Sequence, residues 1–426
     1  MSLTKDISEL LNAKIITQDT ADNIRAYYKS KGGNSTNRLF IVFGVLGAIL
    51  VGLGIILIIA HNWDELSRIT KTIFAFVPLV TGQLFCGYAL LKKKDSTAWR
   101  ESSASFLFFA VGACISLVSQ IYNIPGDLSS FIITWMLLCF PLIYLMRSSM
   151  ASLLYLIGIT FYATEISYWS YSSESFTFWL LLITILPHYY LLYKNKPKSN
   201  FMIFHNWMIP VSVLIILGTL ADHAETIMFI AYMNLFGLLY IIGNLEFFKQ
   251  QKTRNNAYKI LGSLGTIILL LIMSFDWFWE EIIRDELYFK ELIRSSEFFA
   301  SAIIALLSFG ILFFKLKKRS VNEIKPLELV FALYIIIFII GTYSTFSMIL
   351  INILVFAIGI LTIKSGAKQN HLGILNFGLL IITALVICRF FDEDLSFVIR
   401  GILFVSVGVG FFATNYWLIK KRKVNE

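Results

Sequence analysis

The chain has 426 residues, 57% of them hydrophobic and only 15% charged, with a mean hydropathy of +0.74. So few polar side chains cannot cover the exterior of a soluble globular protein of this length, so the bilayer is the solvent for most of the chain. The net charge of +9 comes from basic residues scattered between apolar runs rather than gathered in one patch, which excludes a nucleic-acid partner.

Residues 1–37 are polar and read as a cytoplasmic helical hairpin and hinge. Two short helices meet at Lys14-Ile15-Ile16, and Thr17 is placed to cap the second before Ala21, Ile24, Tyr27 and Tyr28. The hairpin either packs on cytoplasmic loops or docks a protein partner through its apolar face. Gly32-Gly33-Asn34-Ser35 follows as a flexible hinge. The first apolar run is too long for a cleaved leader and has no small-residue cleavage site, so it is expected to act as an uncleaved anchor.

From residue 38 to 419 the chain reads as a transmembrane domain, because apolar runs near twenty residues recur and about 20 residues span the hydrocarbon. Spans are expected at 39–60, 70–91, 103–122, 128–146, 149–168, 176–193 and 202–220, then at 225–247, 257–275, 298–314, 326–343, 345–363, 371–388 and 397–419. The fold expected is all-α, polytopic, with about fourteen transmembrane helices. With the N-terminus cytoplasmic, twenty-nine of the thirty-six Lys and Arg residues fall inside, which predicts both termini in the cytoplasm and makes 420–426 a basic cytoplasmic tail. The narrowest boundaries are Arg147-Ser148-Ser149 and Gly341-Thr342-Tyr343-Ser344.

Several polar elements interrupt these runs. The first hairpin, with Asp64, Glu65 and Lys71, resembles the last, with Arg389, Asp392, Glu393, Asp394 and Arg400: an offset of 329 aligns Glu65 with Asp394, Leu66-Ser67 with Leu395-Ser396 and Lys71 with Arg400. In each, a hydroxyl can cap the returning helix while acids sit near its positive end and a base follows. The pattern is sound helix-end design and also a candidate polar site at the outer mouth for protons, cations or a charged headgroup. The two hairpins share one orientation, so they do not indicate an inverted repeat.

Gly44, Ala48 and Gly52 give the first span a smooth packing face. Gln120, Tyr122 and Asp127 form a polar Pro-Gly turn after the third span. Glu165, about one turn from the outer end of the fifth span, is the most notable intramembrane acid, costing a few kcal/mol unless paired or hydrated. His188 and His205 lie near inner helix ends. Residues 276–297 mix acids with Trp277, Phe278, Trp279, Ile282 and Ile283. They carry i,i+4 pairs Glu280–Arg284 and Glu286–Lys290, predicting an extracytoplasmic amphipathic helix in the interface, or a lid over an outward cavity. Cys86, Cys114, Cys139 and Cys388 sit in apolar spans without paired spacing or His neighbours and read as core, neither disulfides nor metal ligands. No phosphate loop, dinucleotide fingerprint, HExxH or nucleophile elbow is present, so no cofactor, metal or catalytic residue is expected.

The hairpin sequence Leu-Leu-Asn-Ala-Lys-Ile-Ile-Thr, the run from Gly44 to Asn62-Trp63-Asp64, Ser119-Gln120-Ile121-Tyr122, and Trp135 to Ser148 with Pro141 together resemble domain of unknown function 2157, a bacterial family of membrane proteins. The resemblance spans roughly residues 1–150 and implies a bacterial inner-membrane location; the family's activity is unassigned, so it implies no site residue. The sequence favours a transporter or flippase-like protein for a small polar or lipid-linked substrate, more readily than an enzyme. A non-catalytic scaffold or sensor and a membrane enzyme acting on lipid-linked sugars or acyl chains remain open. A polar cavity reaching Glu165 would favour transport, an apolar packed interior the scaffold, and an outer cleft uniting Asp64, Asp127 and Asp392 the enzyme.

Overall fold

In hydrocarbon no water can satisfy the backbone, so each segment must close its own hydrogen bonds, which helices do. The computed structural model describes residues 13–31, 63–169, 176–221, 224–249, 251–284, 292–318, 325–390 and 396–402, with isolated positions before 13 and after 402. Among these the regular structure is helical, with no strand. Ten of the described helices are long and apolar enough to cross a membrane, or eleven if one bent pair is a single span. The expected span 39–60, with Gly44, Ala48 and Gly52, lies outside the described residues, and 397–419 lies largely outside them.

The chain divides into two units, Met1–Val77 and Pro78–Glu426. In the first, α1 (Gln18–Lys31) begins where the Thr17 hydroxyl accepts the Thr20 N–H at 3.3 Å, after Lys14 turns the chain through a left-handed φ of 56°. The Ser67 hydroxyl does the same for the Thr70 N–H at 3.2 Å, starting α2 (Arg68–Lys92), which runs on into the second unit.

The second unit continues with α3 (Thr97–Tyr122), α4 (Leu128–Leu145), α5 (Ser149–Thr164), α6 (Phe176–Ile183), α7 (Leu186–Asn195) and α8 (Asn200–Leu217). Arg147, at φ 45°, breaks α4 from α5, and Ser148 caps α5 through the Ala151 N–H at 3.1 Å, so this narrow boundary is a true helix end. Phe108, Met136, Ile143, Tyr155, Ile159 and Phe178 share one buried core among these helices. Trp135 on α4 donates its indole N–H to the Phe108 carbonyl at 2.7 Å and lies on Gly112, where any Cβ would meet its ring. Without a hydrophobic force between helices in lipid, such small-against-large fits and interhelical hydrogen bonds supply the association.

Next come α9 (Met228–Gly243), α10 (Ala257–Ile272), α11 (Asp276–Arg284), α12 (Ser296–Lys318), α13 (Val330–Gly341), α14 (Phe346–Lys368) and α15 (Leu372–Phe390). Met233, Leu270, Trp279, Phe331, Tyr334, Val355 and Ile381 form their common core. Two pairs are held especially close. A Cβ on Gly262 of α10 would lie 2.5 Å from the Tyr240 backbone nitrogen of α9, and one on Gly378 of α15 would lie 2.7 Å from the Ile363 nitrogen of α14. Outward, Leu91, Leu306, Phe313 and Phe314 are exposed, a lipid-facing surface that water would not tolerate.

Two expectations change. The span expected at 326–343 is a short turn, Pro326–Glu328, followed by the twelve-residue α13, about 18 Å of helix at ~1.5 Å per residue, so its α-helical part is shorter than expected. The amphipathic segment is α11, bent 78° from α10, and it carries the expected Glu280–Arg284 pair at 3.9 Å. Trp277 is exposed, but Trp279 is fully buried, donating to the Met273 carbonyl at 2.9 Å and packing at a tilt against Phe338. One face of α11 therefore belongs to the protein core. The Glu286–Lys290 pair lies outside the described residues.

Candidate functional site

The first and last hairpins differ in how much of each the structure describes. Asp64 and Glu65 are exposed in the turn Trp63–Glu65, and the Lys71 ammonium sits 5.6 Å from the Trp63 ring. At the other end Arg389 donates to the Ser274 hydroxyl at 3.3 Å and lies 4.6 Å over Phe275, while Arg400 packs on Phe390 and Phe397. The Ser396 hydroxyl accepts the Ile399 N–H at 3.4 Å, the same cap that Ser67 makes. Asp392, Glu393 and Asp394 lie outside the described residues.

In the turn between α3 and α4, Gln120 is exposed and Asn123 closes α3 in the left-handed region, its N–H reaching the Ser119 carbonyl. Asp127 caps α4, accepting the Ser130 N–H at 2.6 Å and the Ser129 hydroxyl at 3.0 Å. Hydrogen bonds from Ser130, side chain and then backbone, and from Ser129 hold its carboxyl below the usual carboxylate range. Capping alone accounts for this geometry.

Glu165 opens a π-helical turn, Glu165–Trp169, at the end of α5 and is half-buried. Its carboxylate has no hydrogen-bond or ion-pair partner among the described residues. Beside it, Thr160, Thr164 and Ser212 border a groove of about 280 Å³ between α5 and α8, whose other lining is apolar. Thr160 and Ser212 satisfy each other at 2.5 Å.

At the opposite end of α5 lies a buried polar cluster that sequence reasoning underweighted. Glu101 of α3 accepts the Ser148 hydroxyl at 2.5 Å and the Ser149 and Met150 N–H groups at 3.1 and 2.9 Å, so a carboxylate sits on the positive end of α5. Ser149 also meets His188 Nε2 at 3.3 Å, and Ser152 meets His205 Nε2 at 3.0 Å. Tyr189 donates to Asn206 at 2.8 Å. These polar groups bond one another across α3, α5, α7 and α8, leaving only the Asn206 Nδ2 of this cluster without a partner among the described residues, and read as structural glue.

A second, more polar opening lies elsewhere. A cavity of about 410 Å³, within the size range of ligand sites, lies between the α9–α10 pair and the α14–α15 pair. Lys259, Lys325, Ser263, Ser365, Gln369 and His371 supply its polar lining; Ile260, Leu264, Leu327, Ile374 and Phe377 supply the apolar part. Its lining among the described residues includes two lysines and no carboxylate. The Lys259 ammonium has no hydrogen-bond or ion-pair partner among the described residues. Lys325 is positioned by the Asn244 carbonyl oxygen at 2.5 Å, and Asn244 in turn donates to the Tyr240 carbonyl at 2.8 Å.

His371 accepts the Ile374 N–H on Nδ1 at 3.3 Å, so its neutral ring carries the proton on Nε2 and can donate from there. The N-termini of α10 and α15 lie at this end, adding their partial positive charge. The arrangement can bind an anion at one side and an apolar chain at the other.

The structure thus keeps Glu165 and the Asp127 turn as separate places, and its cavity uses residues the sequence did not single out. Lys259 and Lys325 counted only among the twenty-nine basic residues expected on the inner side; the available signal was a lysine one turn inside an apolar helix, after the cap Asn256. Compared with known proteins, residues 8–152 match the family described as predicted membrane protein, domain of unknown function 2157. That match ends before α6, so the cavity lies beyond it. No curated protein matches the chain, and no solved structure does.

Proposed function

We propose that the chain is a multi-pass protein of the bacterial inner membrane, with about fourteen spans and both termini cytoplasmic, and that it is a transporter or flippase-like protein for a lipid-linked or other amphiphilic substrate. The observation that carries this reading is the α9–α10–α14–α15 cavity, in which two lysines and several donors adjoin an apolar wall. In the N-in arrangement Lys259, Lys325 and Gln369 lie at the cytoplasmic headgroup level, so a substrate of the inner leaflet enters headgroup first. Glu165, half-buried at the end of α5 and without a described partner, is a separate candidate polar position on the outer side in this arrangement. A scaffold or sensor is the second reading, favoured by the exposed Leu10 and Ile15 of the N-terminal hairpin.

Reconstitution into liposomes carrying acyl-labelled fluorescent phosphatidylglycerol tests the first reading. A membrane-impermeant quencher should bleach more than the outer leaflet's share when the protein is present, and Glu165→Gln should slow that excess. Bleaching confined to the outer leaflet for phosphatidylglycerol, phosphatidylethanolamine and a polyprenyl phosphate alike would overturn it in favour of the scaffold.

A further inference from the structure

The cavity's lining says more than that an amphiphile fits. A zwitterionic or sugar headgroup needs donors and acceptors in balance, and a cation needs carboxylates or carbonyls. Here the polar side is weighted towards positive charge: it has two ammonium groups and the His371 Nε2–H, while the Ser263 hydroxyl is spent on the Ile260 carbonyl at 3.1 Å and the Gln369 amide donates to the Ser365 hydroxyl at 2.9 Å, with no carboxylate among the described lining residues. Nearby, the Glu328 carboxylate is fully buried and pairs through one oxygen with Lys315 at 2.5 Å. Two contacts therefore fix the segment that brings Lys325 to the cavity: Lys325 to Asn244 on one side and Glu328 to Lys315 on the other. A phosphate offers several acceptor oxygens and a full negative charge, which is the complement of this set.

We infer that the cavity is a phosphate site, in which Lys259 and Lys325 hold the phosphate of a ligand whose apolar part lies along Leu264, Ile374 and Phe377. This deepens the flippase-like reading by naming the substrate's chemistry, yet binding stands or falls separately from translocation. The phosphate could belong to a lipid headgroup or to a soluble compound. The apolar lining and the lipid-facing helices around it favour the lipid.

The test uses the full chain in a neutral detergent, read by thermal shift and by native mass spectrometry. The probes are dioleoyl phosphatidic acid, phosphatidylglycerol, phosphatidylcholine and inorganic phosphate. The anionic lipids should stabilise the wild type and remain bound, phosphatidylcholine should do so far less, and Lys259→Met should weaken the anionic lipids at least about tenfold, the loss expected of one charge-assisted hydrogen bond. Lys259→Arg should retain most of the binding, which separates loss of charge from loss of fold, and Lys94→Gln should bind as wild type does.

A shift given fully by inorganic phosphate, and lost in Lys259→Met, would support the same site with a soluble ligand. Equal binding of phosphatidylcholine and phosphatidic acid, or Lys259→Met binding as wild type does, would overturn the inference. Binding that follows Lys259 without any lipid translocation would leave the site standing and overturn only the flippase-like reading; translocation that ignores Lys259 would do the reverse.

Discussion

Glu328 and Lys315 are joined at 2.5 Å across the gap between α12 and the turn before α13, with the Glu328 side chain fully buried and only 10% of the Lys315 side chain exposed. The sequence places Lys315 in a basic loop and Glu328 at the start of an expected span, and nothing in it pairs them; burial makes the pair matter, since removing one partner leaves the other charged and unpaired. Glu328→Leu or Lys315→Met alone should destabilise the fold by about 3 kcal/mol, while the double variant should recover most of that loss. Thermal melts of the four proteins in one detergent check this; additive losses in the double variant would show that the two side chains act independently.

Close helix approach makes a second, sharper contrast. A Cβ at Gly262 would lie within 2.5 Å of backbone on α9, and backbone cannot swing away as a side chain can, whereas Gly87 of α2 has open space around it. Gly262→Ala should cost about 1–3 kcal/mol through overpacking, and Gly87→Ala should be neutral or stabilising by up to about 1 kcal/mol. Similar melting temperatures for the two variants would contradict the α9–α10 packing described above.

Asp127 gives a signed pH dependence. Its carboxyl is held below its usual value near 3.8 by hydrogen bonds to the charged form, so the cap's contribution is present above that value and is lost as pH falls through the lower folded value. The amide of the Asp127→Asn variant would still cap α4 but would not titrate. Between about pH 5 and pH 3, wild type should therefore lose more thermal stability than Asp127→Asn; parallel acid profiles would remove Asp127 as a contributor.

Helix existence was legible because apolar length and the bilayer's demand for closed hydrogen bonds leave few alternatives. Thus the apolar runs at 70–91, 103–122 and 128–146 correspond closely to α2, α3 and α4. The short α13 was not legible, since hydropathy does not register that Pro326 begins a tight turn and that helix geometry is lost before Val330. The candidate site was less legible still. Lys259 and Lys325 are 66 residues apart in the sequence, and no periodicity links them; they meet only through the packing of the helices that carry the cavity. Glu101 was similarly hidden, because its partners Ser148, Ser149 and Met150 come from the start of another helix.

The proposed topology can be read with single cysteines in a chain whose four natural cysteines, Cys86, Cys114, Cys139 and Cys388, have been replaced. Lys94→Cys and Lys368→Cys should react with a membrane-impermeant maleimide only after the cells are opened, and Asp127→Cys should react in intact cells. Labelling of Lys368→Cys in intact cells would put the Lys259–Lys325 end of the cavity on the outer side and reverse the direction of entry.

The central claim, that an anionic amphiphile occupies the space between the α9–α10 and α14–α15 pairs, is tested most directly by photocrosslinking. The full chain in nanodiscs would carry a phosphatidic acid with a diazirine in its acyl chain, and labelled residues would be mapped by mass spectrometry for wild type and Lys259→Met. Labelling of Leu264, Ile374 or Phe377 that disappears in Lys259→Met is the predicted result. Labelling restricted to outward residues such as Leu306 and Phe313, unchanged by the substitution, would contradict it.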